Sequence, residues 1–280
     1  MKNTKSITIT CEKYVGNQSI VKHIQELINS SFKDAFIAVI VHGSIATDEV
    51  IPYSDFDGLL IVKEKYRDSK LIKRFINKST KLIYNFDPLQ HHGWFIIYKK
   101  QLQNYPQTFF PHELFEYSKV IYPRKDLSLT IQLPDNINYN KPFLELSNSL
   151  INKIENNYIP KNIYQLKSFL SQIMILPTLY FESVEKKGIY KKDSFRKLAH
   201  EFNRDEIEIL EEISKIRNTW NYNLNHFHKI LFGFQSKAFR KIATSIISTN
   251  LPTSFVKISN ENFNYNMIKL IKSMMTKLSI

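Results

Sequence analysis

Two carboxylates, Asp55 and Asp57, are the residues whose type and spacing point most directly to chemistry. They come just before the apolar run Leu59 to Val62, which is typical of a β-strand. Side chains alternate between the two faces of an extended strand, so both carboxylates are expected on one face. Two negative charges held this close repel each other unless a cation lies between them, and their oxygens suit Mg²⁺. The pair therefore predicts a site for one or two Mg²⁺ ions.

A Gly-Ser pair, Gly43-Ser44, ends the preceding apolar run. Glycine permits close approach to the backbone, and serine offers a hydroxyl and an N–H to a triphosphate. Ile45 to Glu49 is expected to begin a short helix, whose N–H groups suit phosphate. Metal and phosphate sites together predict nucleotidyl transfer, in which an acceptor hydroxyl attacks the α-phosphorus of a nucleoside triphosphate and pyrophosphate leaves.

Gly43-Ser44, a linker, Asp55-Phe56-Asp57 and the following apolar strand together resemble the signature of the DNA polymerase β-like nucleotidyltransferase superfamily. The resemblance implies that Asp55 and Asp57 are catalytic metal ligands and that Gly43 and Ser44 bind the nucleotide. It also makes ATP the expected nucleotide, because ATP is the commonest donor in such families.

Members of that superfamily normally carry a further acid in a third strand, as metal ligand or general base. Here the third strand is predicted at Trp94 to Tyr98, and it contains no carboxylate. His92 and Asp87 are the alternative candidates for the general base. Imidazole is a competent base at neutral pH, and the separation of His92 from Asp57 is closer to the superfamily's usual spacing. A purely structural role for His91 and His92 at the strand end is the third possibility.

The stretch 176–196, LPTLYFESVEKKGIYKKDSFR, resembles the helical domain of the aminoglycoside adenylyltransferases. In that family a long helix ends at a glycine, and a lysine opening the next helix meets the nucleotide phosphates. The matching residues are Gly188 and Lys192, and Asp193 or Ser194 is expected to cap the second helix. A solvated basic junction with no catalytic role is the alternative for Lys192.

Hydrophobic periodicity predicts the elements that must position these residues. A helix over 19–32, a strand over 36–41 and a helix around 71–83 are expected near the carboxylates. The segment 126–142 is rich in Pro, Asn and Asp and has little periodicity, so we place a domain boundary there. The predicted domains are a nucleotidyltransferase catalytic domain over 1–135 and a helical bundle over 136–280. Helices in the second domain are predicted at 143–158, 161–187, around 195–202, around 207–220, 230–248 and 262–278.

The expected fold class is therefore an α/β (α+β) nucleotidyltransferase domain with a small mixed sheet, joined to an all-α C-terminal helical bundle. The active site is expected in the cleft between them.

Composition narrows the class of protein. The chain has 280 residues and 43% hydrophobic residues, as globular proteins have. No apolar run approaches the ~20 residues needed to cross a bilayer, and no signal-peptide core is visible, so a cytoplasmic protein is expected. The single cysteine excludes an internal disulfide framework.

The acceptor is open at this level. A small hydroxyl-bearing molecule such as an aminoglycoside-like antibiotic is favoured by the two-domain layout. The net charge of +13 instead favours a macromolecular acceptor, such as a tRNA or other RNA end. A protein acceptor, or a catalytically silent nucleotide-binding module lacking the third acid, are further alternatives.

Overall fold

The computed structural model describes residues 5–221, 227, 251–258 and 261–279. The described chain forms two compact units, the first within 5–137 and the second comprising 138–221 together with 251–258 and 261–279. The helix predicted over 230–248 lies outside the described residues. The boundary predicted after residue 135 stays a prediction.

The first unit alternates strands with helices. Its regular elements are β1 (Lys5–Cys11), α1 (Ser19–Ser31), β2 (Phe36–His42), α2 (Gly43–Ala46), β3 (Asp57–Val62), α3 (Lys70–Phe86), β4 (Phe95–Tyr98), β5 (Lys119–Tyr122) and β6 (Leu127–Leu133). Short 3-10 helices lie at Lys33–Ala35, Glu64–Tyr66, Lys99–Gln103 and His112–Tyr117. The short helix predicted to begin at Ile45 instead begins at Gly43 and ends at Ala46.

The main sheet has four strands in the order β4-β3-β2-β5. Strand β4 runs parallel to β3, whereas β2 is antiparallel to both of its neighbours. The end of β2 and the starts of the other three strands consequently lie at one edge of the sheet. This edge carries the candidate site.

Both faces of the sheet are buried, which explains the unbroken apolar runs in β2 and β3. On one face the helices α1 and α3 pack through a core that includes Phe75, whose ring contacts Phe32, Phe36 and Trp94. On the other face, Ile40 and Leu59 pack with residues of β1 and β6. A strand covered on both sides gains burial at every position, so its sequence shows no alternation.

The strands β1 and β6 form a separate antiparallel two-stranded sheet, from Lys5 opposite Leu133 to Cys11 opposite Leu127. Neither strand was predicted, and β6 lies at the start of the segment 126–142, whose sequence showed little periodicity. The inward residues Ile9, Cys11, Ile131 and Leu133 are buried while their neighbours in sequence are exposed. This period of two is the signature of a strand covered on one face.

The second unit is helical throughout its described residues. Its helices are α4 (Asn140–Glu155), α5 (Ile163–Glu185), α6 (Lys191–Glu201), α7 (Arg204–Asn218), α8 (Thr253–Ile258) and α9 (Glu261–Lys277). The predicted fold class, a mixed α/β part with small sheets followed by a helical C-terminal region, is confirmed. Within the described residues, no helix has the length and apolar character that spanning a membrane requires.

Two predicted helix ends in this unit were wrong. Helix α5 ends before Gly188, and the left-handed position at its C-terminus is taken by Lys186, with φ 55°. Helix α6 begins after Tyr190, whose side chain makes no capping hydrogen bond, so neither Asp193 nor Ser194 is the cap. The Ser194 hydroxyl instead donates to the carbonyl of Lys191 in the first turn.

Candidate functional site

Gly43 and Asp57 face each other where β2 ends and β3 begins. His42 pairs with Asp57 in the strand register, and Gly43 follows at φ +65°, a left-handed conformation that favours glycine. A Cβ atom at Gly43 would lie 2.8 Å from Oδ2 of Asp57. The glycine therefore serves two needs, the turn out of the strand and the close approach of the Asp57 carboxylate.

The carboxylates of Asp55 and Asp57 both approach the ring of His92. Nε2 of His92 lies 3.2 Å from Oδ1 of Asp57 and 3.9 Å from Oδ2 of Asp55. Nδ1 of His91 lies 4.0 Å from the same Asp55 oxygen. The two imidazole rings are perpendicular, with centroids 5.1 Å apart. Two acids and two imidazoles thus share one half-buried site at the sheet edge.

Phe56, between the two acids, points into the core and anchors the turn. Its side chain is buried and packs edge-on against Trp94, with ring centroids 5.1 Å apart. The indole N–H of Trp94 donates to the Ser79 hydroxyl of α3 at 2.9 Å. A Cβ at Gly58 would lie 2.3 Å from the Trp94 ring, so this glycine makes room for the indole. The core therefore fixes the backbone from which both acids project.

Gln90 is a residue at this site that the sequence reasoning missed. Its buried side-chain amide accepts the Phe56 N–H at 2.8 Å and donates to the Phe56 carbonyl at 3.0 Å. It also donates to the carbonyl of His92 at 3.1 Å. One amide thus ties the segment carrying the acids to the segment carrying the histidines. A polar residue beside a His pair gave no signal of this role in the sequence.

His42 is the second residue that the sequence reasoning missed. Its Nδ1 lies 3.1 Å from the Ser118 hydroxyl, which itself donates to the carbonyl of Leu114 at 2.7 Å. The hydroxyl hydrogen is used in that bond, so the Ser118 oxygen accepts a hydrogen bond from the Nδ1–H of His42. Burial lowers the pKa of His42 to about 4, because the charged ring would lose its hydration. His42 is therefore a neutral residue beside the acids at pH 7.

Asp87 lies in the turn after α3 and is buried. Its Oδ1 accepts the backbone N–H of Leu89 at 3.0 Å, and its carbonyl accepts the N–H of Gln90. The carboxylate thus stabilises the turn that delivers Gln90 and His92 to the site. Ser44, within α2, lies directly after Gly43. Lys192 is exposed in the first turn of α6, in the second unit.

The donor set at the sheet edge can be tested against the predicted metal. Asp55 and Asp57 supply the carboxylate oxygens that Mg²⁺ prefers, and Gly43 has no Cβ to crowd Oδ2 of Asp57. The residues present fit Mg²⁺ to this extent. The two imidazoles are not typical Mg²⁺ ligands, and among the described residues Asp55, His91 and His92 form a group whose donor atoms all lie within 4.8 Å of one another.

No protein-family model and no curated protein matches the chain. Among solved structures, spectinomycin adenyltransferase AAD(9) from Enterococcus faecialis, with ATP and spectinomycin, is a remote match. Its TM-score is 0.38 at 13% sequence identity, covering 92% of this chain and 99% of that chain. A likeness at this level says nothing about the residues of the site.

Proposed function

We propose that the protein is a metal-dependent nucleotidyltransferase that moves a nucleoside monophosphate, AMP from ATP in the first instance, to an acceptor hydroxyl. The observation that carries the proposal is the meeting of Gly43, Asp57 and His92 at one sheet edge, with the second acid, Asp55, 3.9 Å from the same imidazole. The resemblance of the Gly-Ser and Asp-Phe-Asp segments to the nucleotidyltransferase superfamily supports it.

Asp55 and Asp57 are the proposed ligands of Mg²⁺. When bound, the ion would neutralise charge on the triphosphate and polarise the bond to the leaving group. Gly43 and Ser44 are proposed to hold the phosphates, since a backbone without a Cβ admits a phosphate close to the main chain. Lys192 of the second unit is proposed as a further phosphate contact.

His92 is the proposed general base. Its Nε2 lies 3.2 Å from Oδ1 of Asp57, and the tautomer that donates from Nδ1 to the Gly93 carbonyl at 3.3 Å presents Nε2 as a proton acceptor. The acceptor oxygen would form a bond to the α-phosphorus, the bond from that phosphorus to the bridging oxygen would break, and pyrophosphate would leave. The acceptor proton would move to Nε2 of His92. Asp87 is the weaker candidate, because its carboxylate already accepts a backbone N–H in a buried turn.

A small hydroxyl-bearing acceptor, such as an aminoglycoside-like antibiotic, is the first proposal for the substrate. An RNA end is the second, and one observation favours it: the net charge of +13 would attract a polyanion. A polycationic antibiotic would be attracted to an acidic surface instead.

The experiment is incubation of the full chain and Mg²⁺ with each of four α-labelled nucleoside triphosphates, in turn with an antibiotic panel and with tRNA. Label on an antibiotic supports the first acceptor, label in RNA supports the second, and label on the protein itself indicates a protein acceptor. Asp57→Asn should reduce transfer at least ~10²-fold, as loss of a principal electrostatic stabiliser does. Asp34→Asn, a change at an exposed acid of the same unit, is the matched control. Transfer that persists in Asp57→Asn, or nucleotide binding without any transfer, would contradict the proposal.

A further inference from the structure

The side chains of Asp55, His91 and His92 converge, with one donor atom of each within 4.8 Å of the others. Oδ2 of Asp55 is 4.0 Å from Nδ1 of His91 and 3.9 Å from Nε2 of His92. The His91 side chain is 18% exposed and the Asp55 side chain 13% exposed. Both therefore lie in a sheltered position, where a bound cation would exchange some of its water for protein ligands.

The distances suit a single ion. Ligands bound to one ion at ~2.0–2.2 Å lie roughly 3 to 4.2 Å apart, depending on the angle at the metal. Both separations from the Asp55 oxygen, 4.0 and 3.9 Å, fall within that range, and all the donor atoms of the group lie within 4.8 Å of one another. A small movement of the side chains would bring all three donors to one ion.

The kind of donor selects the kind of ion. Imidazole nitrogen is a good ligand for Zn²⁺ and the neighbouring first-row metals and a poor one for Mg²⁺, which favours oxygen. In the tautomer protonated at Nδ1, His92 can donate to the Gly93 carbonyl at 3.3 Å, as metal-bound histidines commonly do to a backbone carbonyl, and Nε2 is then available as the ligand atom. The Gln90 amide also holds the His92 backbone, donating to its carbonyl at 3.1 Å.

We infer that Asp55, His91 and His92 form a binding site for Zn²⁺ or a similar first-row transition ion, and that this ion inhibits the enzyme. An ion held by Nε2 of His92 occupies the lone pair that would accept the acceptor's proton. It also takes the Asp55 carboxylate from Mg²⁺. Binding of the ion does not depend on the proposed function, whereas the inhibition rests on it.

The first test measures binding alone. Titration calorimetry of the full chain with ZnCl₂, without nucleotide, should give one tight site, and MgCl₂ should bind far more weakly in the same experiment. His91→Ala should weaken Zn²⁺ binding at least ~10-fold, since a ligand is lost. His91→Asn, which keeps a polar side chain of similar size, should do the same. His23→Ala, a change at an exposed histidine of α1, is the control and should leave Zn²⁺ affinity unchanged. Circular dichroism and thermal unfolding establish that each variant is folded.

The second test measures transfer at fixed Mg²⁺ with increasing Zn²⁺. Inhibition should appear at the Zn²⁺ concentration that saturates the site, and His91→Ala should need at least ~10-fold more Zn²⁺ for the same inhibition. Wild-type Zn²⁺ affinity in folded His91→Ala or His91→Asn, or equal affinity for Mg²⁺ and Zn²⁺, would overturn the site. Zn²⁺ binding without inhibition of a working transferase would overturn the regulatory half. Zn²⁺ binding by a chain that transfers nothing would leave the site standing and remove the proposed function.

Discussion

The side-chain amide of Gln90 hydrogen-bonds both backbone polar groups of Phe56, as a neighbouring β-strand would. It accepts the N–H at 2.8 Å and donates to the carbonyl at 3.0 Å, and Phe56 is the residue between the two acids. The backbone from which Asp55 and Asp57 project is therefore positioned by the Gln90 side chain, whose amide nitrogen also lies 3.2 Å from Nδ1 of His92. Gln90 is a positioning residue, and the first prediction concerns it.

Gln90→Ala should lower the free energy of unfolding by about 2 kcal/mol, because buried polar groups of Phe56 lose their partners. It should also weaken metal binding and lower kcat, because the two acids lose their common anchor. Thermal unfolding measures the loss of stability, and calorimetry with Mn²⁺ in place of Mg²⁺ measures the loss of metal affinity.

The matched control is Gln107→Ala. Gln107 is also a buried glutamine, and it accepts the backbone N–H of His112 at 3.0 Å and donates to Glu113 at 2.7 Å. Its removal should destabilise the first unit to a similar extent while leaving Mn²⁺ affinity unchanged. If the two variants lose metal affinity equally, Gln90 acts through stability alone.

Gly43→Ala should damage the site more than the fold. The left-handed backbone costs a residue with a Cβ roughly 1–2 kcal/mol, and the new methyl group would lie 2.8 Å from the Asp57 carboxylate. Displacement of that carboxylate should reduce kcat at least ~10-fold, as small misplacements of reacting groups do.

Gly93→Ala is the corresponding control. A Cβ at Gly93 meets no atom within 4 Å, and its carbonyl still accepts from His92. Steady-state kinetics should therefore resemble those of the unmodified protein. Gly43→Ala with normal kcat would mean that the Asp57 carboxylate does not need its present position.

His92→Gln should lower kcat far more than Asp87→Asn does. Loss of a general base should cost roughly 10²- to 10⁴-fold in kcat with little change in nucleotide binding, so His92→Gln should be nearly inactive. Asparagine at position 87 keeps an oxygen to accept the Leu89 N–H, so Asp87→Asn should be mild. Single-turnover rates measure the chemical step directly. An inactive Asp87→Asn beside an active His92→Gln would give the role of base to Asp87.

Cys11 should be unreactive until the protein unfolds. Burial raises the pKa of its thiol to about 12, and the thiol donates to the carbonyl of Ser118 at 3.2 Å. Only the thiolate reacts, so iodoacetamide at neutral pH should modify the folded protein at least ~10²-fold more slowly than the chain unfolded in urea. Equal rates in the two states would show that β1 opens readily.

The raised pKa of Cys11 also predicts that the protein becomes less stable at alkaline pH. Burial holds the folded pKa of Cys11 above its ordinary value of 9.0, so its stabilising contribution is complete below about pH 9 and is lost as pH rises towards 12. The free energy of unfolding of the unmodified protein should fall over that pH range, and that of Cys11→Ala should fall less. Urea titrations at pH 8, 9 and 10 compare the two proteins.

Strands β2 and β3 were predictable because both are buried on two faces and read as apolar runs, and the Asp pair followed from the spacing before β3. Strand β1 carried a readable alternation of Ile7, Ile9 and Cys11, but each apolar residue stands beside a threonine or serine, and no long run marks it. The role of Gln90 was not predictable. It depends on which backbone passes the side chain after folding, and one sequence contains no information about that partner.

Because β3 and β4 are parallel, both strands start at the same sheet edge whatever the length of the chain between them. The acids lie at the start of β3 and the histidines just before β4, so this one sheet edge positions both groups. The connection from β3 to α3, around Arg67 and Asp68, leaves from the opposite edge. Asp68 already occupies a left-handed turn with φ 53°. This connection is accordingly the place in the first unit for a genetically inserted tag or fluorescent reporter, which would lie away from the reacting groups.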